Sequence, residues 1–297
     1  MLKRPTGDKV AGMQYGCPVG CEYCVVTNVE SRADLWRDDD SAPSINKAVT
    51  IINPPLDRSN TEAIDRYYAM SPELFRGDIV GFCANSDPFW PRHRRELEHF
   101  LDTIAPETKI ATCVTKWKVP DVVLERLASI PNFRLIVSIT GLDAIEGTST
   151  EDRLSVLRRA QEHGVKAYPI IHPYIAGMSD LSFLPALKDM GYEAVDVKGL
   201  RYDPSMDSWM PPEVQTYYRA FGNDEALIED GWREQLATAG IELKGLKSWY
   251  KAEAADRGPH LTPEEATVAV RKVLGMAHIT SSDTDDAVVA AALERRL

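Results

Sequence analysis

The sequence has only five cysteines among its 297 residues, a formal charge of -11 and no excess of basic residues. No stretch approaches the roughly 20 consecutive apolar residues of a membrane-spanning helix, so no membrane partner is expected. Proteins that coat nucleic-acid phosphates gain affinity through Lys and Arg, so nucleic acid is not the expected partner either. The densest basic run, "WPRHRRELEHF" at 90–100, interleaves its cations with Glu96 and Glu98 and reads as a solvated helix face. The opening "MLKRPTGDKVAG" has basic residues but no apolar run behind them. A secretory signal is therefore not expected, and the expected location is cytoplasmic, a reducing compartment where thiols persist. No internal repeat or low-complexity tract is evident. Hydrophobic residues at 44% and charged residues at 27% are ordinary for a globular chain able to bury a large core.

What is present is an alternation of short apolar runs with amphipathic stretches. Candidate strands are "KVAGMQY" (9–15), "AVTIIN" (48–53), "DIVGFCAN" (78–85), "KIATCVT" (109–115), "RLIVSIT" (134–140), "KAYPIIHP" (166–173) and "AVDVKGL" (194–200). Helix-like segments such as "VPDVVLERLASI", "STEDRLSVLRRAQEHG" and "DLSFLPALKDMG" lie between them, and Gly164 and Gly191 stand where helix C-caps belong. A βα series of this kind predicts an α/β fold with a parallel sheet, closing as a barrel or partial barrel with chemistry at the C-terminal strand ends. After Tyr202 the pattern changes to Pro, Met and aromatics. Residues 1–202 are thus expected to form the core, and 203–297 a helical extension covering the barrel mouth, its Trp and Tyr either lining substrate or packing helices.

The cysteines are not scattered. Cys17, Cys21 and Cys24 fall within eight positions, directly after the first candidate strand. Thiolates at x3 and x2 spacing can converge on a soft metal centre. A structural zinc site would need a fourth ligand, such as His172 or another His, which would make the chain a scaffold or interaction protein. An iron-sulfur cluster can take three cysteines and leave one iron open, or serve electron transfer alone.

The C-x3-C-x2-C spacing, with Tyr23 just before the last cysteine, resembles the radical S-adenosylmethionine superfamily. "CANSDPFWP" (83–91), "TKW" (115–117), "SITGLD" (138–143) with Arg153 downstream, and "HPYIAGMSD" (172–180) are similar in order and spacing to the branch related to spore photoproduct lyase. The resemblance covers roughly residues 9–202. It implies a partial (β/α)6 barrel, a 4Fe-4S cluster on Cys17, Cys21 and Cys24, and S-adenosylmethionine chelated at the open iron. It also implies an external one-electron reductant of the flavodoxin or ferredoxin type. Reductive cleavage of the cofactor then gives a 5'-deoxyadenosyl radical that takes hydrogen from a small substrate (nucleoside, sugar or peptide-derived) or a nucleotide lesion; whether the enzyme is a lyase, isomerase or oxidoreductase stays open. Two cysteines beyond the trio cannot supply a four-cysteine auxiliary cluster.

By the same resemblance Tyr23 belongs to the cofactor site, and Asn85, Ser86 and Asp87 to the segment receiving the methionine amino group. The alternative for that segment is a plain turn before Pro88. Ser138 would bond the ribose and Arg153 the methionine carboxylate, unless Arg153 is a helix-surface residue beside Glu151 and Asp152. Ile175 and Gly177 resemble the turn beside the adenine. Lys198, Arg201 and Tyr202 end the last core strand, where they would meet an anionic substrate group or an internal acid such as Asp196. Cys83 and Cys113 read as buried strand cysteines, or as hydrogen donors to a product radical if they line the cavity. His172 and Lys116 are placed similarly, with no metal-ligand spacing.

Overall fold

Among the described residues seven strands lie side by side in chain order, and every adjacent pair is parallel. The computed structural model describes residues 9–11, 17–24, 68, 72–77, 79–83, 86–222, 224–246, 248 and 249. The strands are β1 (Lys9–Ala11), β2 (Ile79–Phe82), β3 (Ile110–Thr115), β4 (Phe133–Ser138), β5 (Ala167–Ile171), β6 (Ala194–Val197) and β7 (Glu242–Leu243). Parallel neighbours cannot be joined by tight hairpins, and helices fill the crossovers. These include α1 (Arg94–His99), α2 (Asp121–Ala128), α3 (Thr150–Glu162) and α4 (Leu184–Asp189), then α5 (Pro212–Tyr218) and α6 (Trp232–Thr238) before β7. Among the described residues β1 and β7 are edges that do not pair with each other, so the sheet is an open, partial (β/α)6 barrel with one short extra strand.

Local chemistry agrees with this order. Ser149 and Asp152 form a capping box that starts α3. The expected cap glycines, Gly164 and Gly191, follow α3 and α4 with φ of 78° and 86°, where a side chain would be strained. The expected strand at 48–53 lies outside the described residues.

The two sheet faces are unlike. On one, Val80, Phe82, Ala111, Cys113, Leu135, Val137 and Val195 pack against Leu97, Phe100, Leu124, Leu157 and Leu187 of the helices. On the other, Ile79, Ile110, Ile136 and Ile170 form an apolar layer closed by Trp249, which stacks on Tyr168 with centroids 4.8 Å apart. Side chains alternate across a strand. Two residues further along, the second face therefore carries Ser138, His172 and Asp196, with Val114, Lys116 and Lys198 also in phase. Its floor is apolar and its C-terminal rim is polar.

The region after 202 is expected to be helical, and its described residues add to α5 and α6 a short strand, β7, on the edge of β6. Met206, Tyr218 and Trp232 are buried in the same cluster as the sheet. The Tyr218 hydroxyl oxygen accepts the Ala176 N–H at 2.7 Å. No helix among the described residues is long and apolar enough to cross a membrane. Trp232→Ala is expected to cost about 3–5 kcal/mol, as large buried aromatics do. Urea denaturation checks this; an unchanged midpoint would mean that Trp232 is not part of the main core.

Candidate functional site

The cysteine loop is fastened to the segment after β4. Gly147 N–H donates to Val19 O at 2.7 Å and Glu22 N–H to Ile145 O at 3.0 Å. A Cβ on Gly147 would stand 2.2 Å from Val19 O, so this close approach requires glycine. Beneath the loop, the Tyr23 hydroxyl donates to Glu146 Oε1.

Glu146 is the hub of a buried network, its side chain 0% exposed. Lys116 Nζ donates to Oε1 at 3.1 Å, Thr140 Oγ1 to Oε2 at 2.8 Å, and the Arg153 guanidinium pairs with Oε2. Arg153 is fully buried and also donates to Thr140 Oγ1 at 3.1 Å and to Thr148 O. That removes the helix-surface alternative for it. Burial pushes the Glu146 carboxyl up and Arg153 holds it down, while burial pushes the Lys116 ammonium down. Lys116 further donates to Ser138 Oγ and His172 O, both at 2.9 Å, so one side chain ties the ends of β3, β4 and β5 together.

Asp87 lies behind this network. Its carboxylate accepts N–H groups from Phe89, Lys116 and Trp117 at 2.9–3.1 Å and the Thr115 hydroxyl at 2.8 Å. So many donors make Asp87 an anchor between the post-β2 loop and the end of β3. Burial pushes its pKa up to about 6 against those hydrogen bonds. Ser86 Oγ sits 2.8 Å from His93 Nε2, and Asn85 lies outside the described residues.

All five cysteines carry thiols. Burial pushes Cys17 up to about 11 and Cys21 up to about 12, with Lys116 opposing at Cys21, and Cys24 acts electrostatically on both. Protonated thiols of this kind are poor nucleophiles and give up their protons to a metal centre instead. Three soft sulfur donors fit an iron-sulfur cluster by their chemistry. Among the described residues no three His, Cys, Asp or Glu converge as ligands of a single ion. His172, the zinc alternative's fourth ligand, has Nε2 3.2 Å from Asp196 Oδ2, an ion-pair distance without hydrogen-bond alignment.

Other expected residues are distributed unevenly. Ser138 is buried at the rim and donates to His172 O at 2.9 Å. Ile175 N–H donates to Ser179 Oγ at 2.9 Å, and Gly177 N–H to Asp230 Oδ2 at 3.0 Å, so the 175–177 turn is gripped by the extension. Cys113 belongs to the helix-covered face and is 0% exposed, away from the polar rim. Cys83 is buried at the end of β2 with φ of 59°, and the charges of Asp87, Cys17 and Glu96 all act on it. A left-handed, non-glycine residue there is backbone strain stored beside the candidate site. Lys198 is exposed at the rim, whereas Tyr202 turns away and donates to Asp207 in the extension, beside Arg219 Nε at 3.4 Å.

Sequence reasoning missed Glu146 and gave Lys116 no role. Glu146 stands in a short polar stretch that reads as surface, and its partners come from positions 23, 116, 140 and 153. Removing it strands a buried guanidinium. Glu146→Ala is expected to destabilise the protein by about 3–5 kcal/mol. Urea denaturation reads this directly, and a loss under about 1 kcal/mol, the size of a surface pair, would contradict the hub assignment.

No family model and no curated protein matches this sequence. Similar solved structures include spore photoproduct lyase complexed with dinucleoside spore photoproduct, at 14% identity and a TM-score of 0.48, covering 85% of this chain and 76% of that one. Methylornithine synthase matches at 13% identity and a TM-score of 0.45, covering 95% and 86%. Native anSMEcpe with bound AdoMet matches at 12% identity and a TM-score of 0.44, covering 80% and 63%.

Proposed function

We propose that this chain is a radical S-adenosylmethionine enzyme that acts on a small molecule at the C-terminal rim of its parallel sheet. The observation that carries the reading is the thiol trio, docked by Tyr23 and Glu146 against the ends of β3, β4 and β5. Cys17, Cys21 and Cys24 would hold a 4Fe-4S cluster. When bound, the cluster and S-adenosylmethionine supply the electron and the sulfonium whose cleavage yields a hydrogen-abstracting radical.

The chain's own residues bind, orient and exclude water. Arg153 and Glu146 fix the segment under the cysteine loop, and Asp87, in the same turn as Ser86, fixes the approach from β2, while Asn85 would join them by the resemblance of its segment. Ser138 presents a hydroxyl at the rim, and Ile175 and Gly177 form the turn against which a flat ring would rest. Val114, 42% exposed on the open face, together with His172, Asp196 and Lys198, supplies a mixed apolar and charged surface for substrate. The extension from 203 would cover this mouth, and its grip on the 175–177 turn through Asp230 and Tyr218 supports that reading. The face assigned to Cys113 lends no support to it as a hydrogen donor. A flavodoxin-type or ferredoxin-type reductant would supply the electron.

Anaerobically reconstituted protein is expected to contain iron and acid-labile sulfide in equal amounts, and to lose both when Cys17, Cys21 or Cys24 becomes Ala. Ser138→Ala is expected to keep the cluster and bind S-adenosylmethionine more weakly. Stoichiometric zinc without sulfide would overturn the reading in favour of a zinc scaffold.

A further inference from the structure

Lys116 is enclosed by acceptors. Its Nζ donates to Ser138 Oγ at 2.9 Å, Glu146 Oε1 at 3.1 Å and His172 O at 2.9 Å. The Ser138 hydroxyl proton is already committed to His172 O, at 2.9 Å, so Ser138 Oγ meets Lys116 as an acceptor. An ammonium has three N–H donors and a neutral amine two. The three acceptors match the three donors of an ammonium, the form proposed here. Burial opposes it, leaving the side chain only 15% exposed and pushing its pKa down to about 7.

This cation faces the cysteine loop. It lies 5.5 Å from the ring centroid of Tyr23, and its charge and those of Cys21 and Cys24 act on one another. The other charges facing it are Glu146, Arg153 and Asp87. The paired group sums to zero, Lys116 and Arg153 against Glu146 and Asp143, whose Oδ1 lies 3.9 Å from Arg153, so what counts is that the Lys116 charge is the one set beside the cysteine loop. Burial keeps that charge from being screened by salt as a surface charge would be.

We propose that the Lys116 ammonium is a fixed charge that raises the reduction potential of the iron-sulfur cluster held by Cys17, Cys21 and Cys24. The inference rests on the function proposed above. In the step concerned the external donor loses one electron and the cluster gains it, with no proton moved at Lys116. The added negative charge is stabilised by a cation already held in place by three acceptors, so little reorganisation accompanies it.

The test is potentiometric titration of the anaerobically reconstituted full chain, followed by electron paramagnetic resonance without S-adenosylmethionine. Lys116→Met should make the equilibrium constant for reduction about tenfold less favourable, a fall of about 59 mV for a one-electron couple. Lys116→Arg should stay near the wild-type midpoint. Glu146→Gln removes the opposing charge and should raise the midpoint. A midpoint unchanged or raised in Lys116→Met overturns the proposal. If that variant takes up no cluster, Glu146→Gln decides, and a midpoint that does not rise overturns it. Wild-type protein that binds no cluster overturns both this inference and the function beneath it, whereas a cluster with an unresponsive midpoint overturns the inference alone.

Discussion

The Glu146 carboxyl, buried between Lys116, Arg153 and the Tyr23 hydroxyl, is the constraint on which the rest of the site depends. A carboxylate out of water is costly unless its oxygens are paired and hydrogen-bonded. Here each oxygen meets a cation and a hydroxyl: Lys116 and Tyr23 at one, Arg153 and Thr140 at the other. Those partners come from the cysteine loop, the end of β3, the segment after β4 and α3. Satisfying one acid thus fixes four pieces of chain relative to one another. The same geometry accounts for Gly147, whose missing side chain lets the cysteine loop lie against the post-β4 segment.

From this joint the arrangement spreads in two directions. Lys116 carries it across the rim to Ser138 and to the His172 carbonyl, so three adjacent strand ends are held in register by one ammonium. Asp87 carries it backwards, collecting N–H groups from the chain just beyond β3. The apolar layer around Trp249 closes the sheet face below, so the polar groups gather at one end. Polar rim and thiol loop thus stand together beyond an apolar floor, and the proposed cofactor site rests on that juxtaposition.

Much of the framework was readable from sequence, because strand cores are runs of apolar residues bounded by turn formers. "KIATCVT" and "RLIVSIT" became β3 and β4 within a residue or two of the expected ends. Which face a side chain takes was not readable where both faces are buried. β3 has no polar alternation around Cys113, so nothing local places that thiol on the helix side. β7 was missed because two residues, Glu242 and Leu243, between helix-like stretches carry no period. The thiol trio was evident because its spacing is local. Glu146 was not, because its meaning lies in partners up to 123 positions away. Tyr202 looked like a rim residue by position, yet the extension supplies Asp207 and Arg219 to engage it.

The central claim is that the thiol trio and the rim beside it serve cleavage of S-adenosylmethionine. It is tested most directly by chromatography of reaction mixtures containing the anaerobically reconstituted, reduced full chain and S-adenosylmethionine. The account predicts 5'-deoxyadenosine and methionine in equal amounts, formed slowly alone and abolished in Cys21→Ala. Protein that carries the cluster, is demonstrably reduced, and yields no 5'-deoxyadenosine even slowly would contradict it and point to an electron-transfer protein instead.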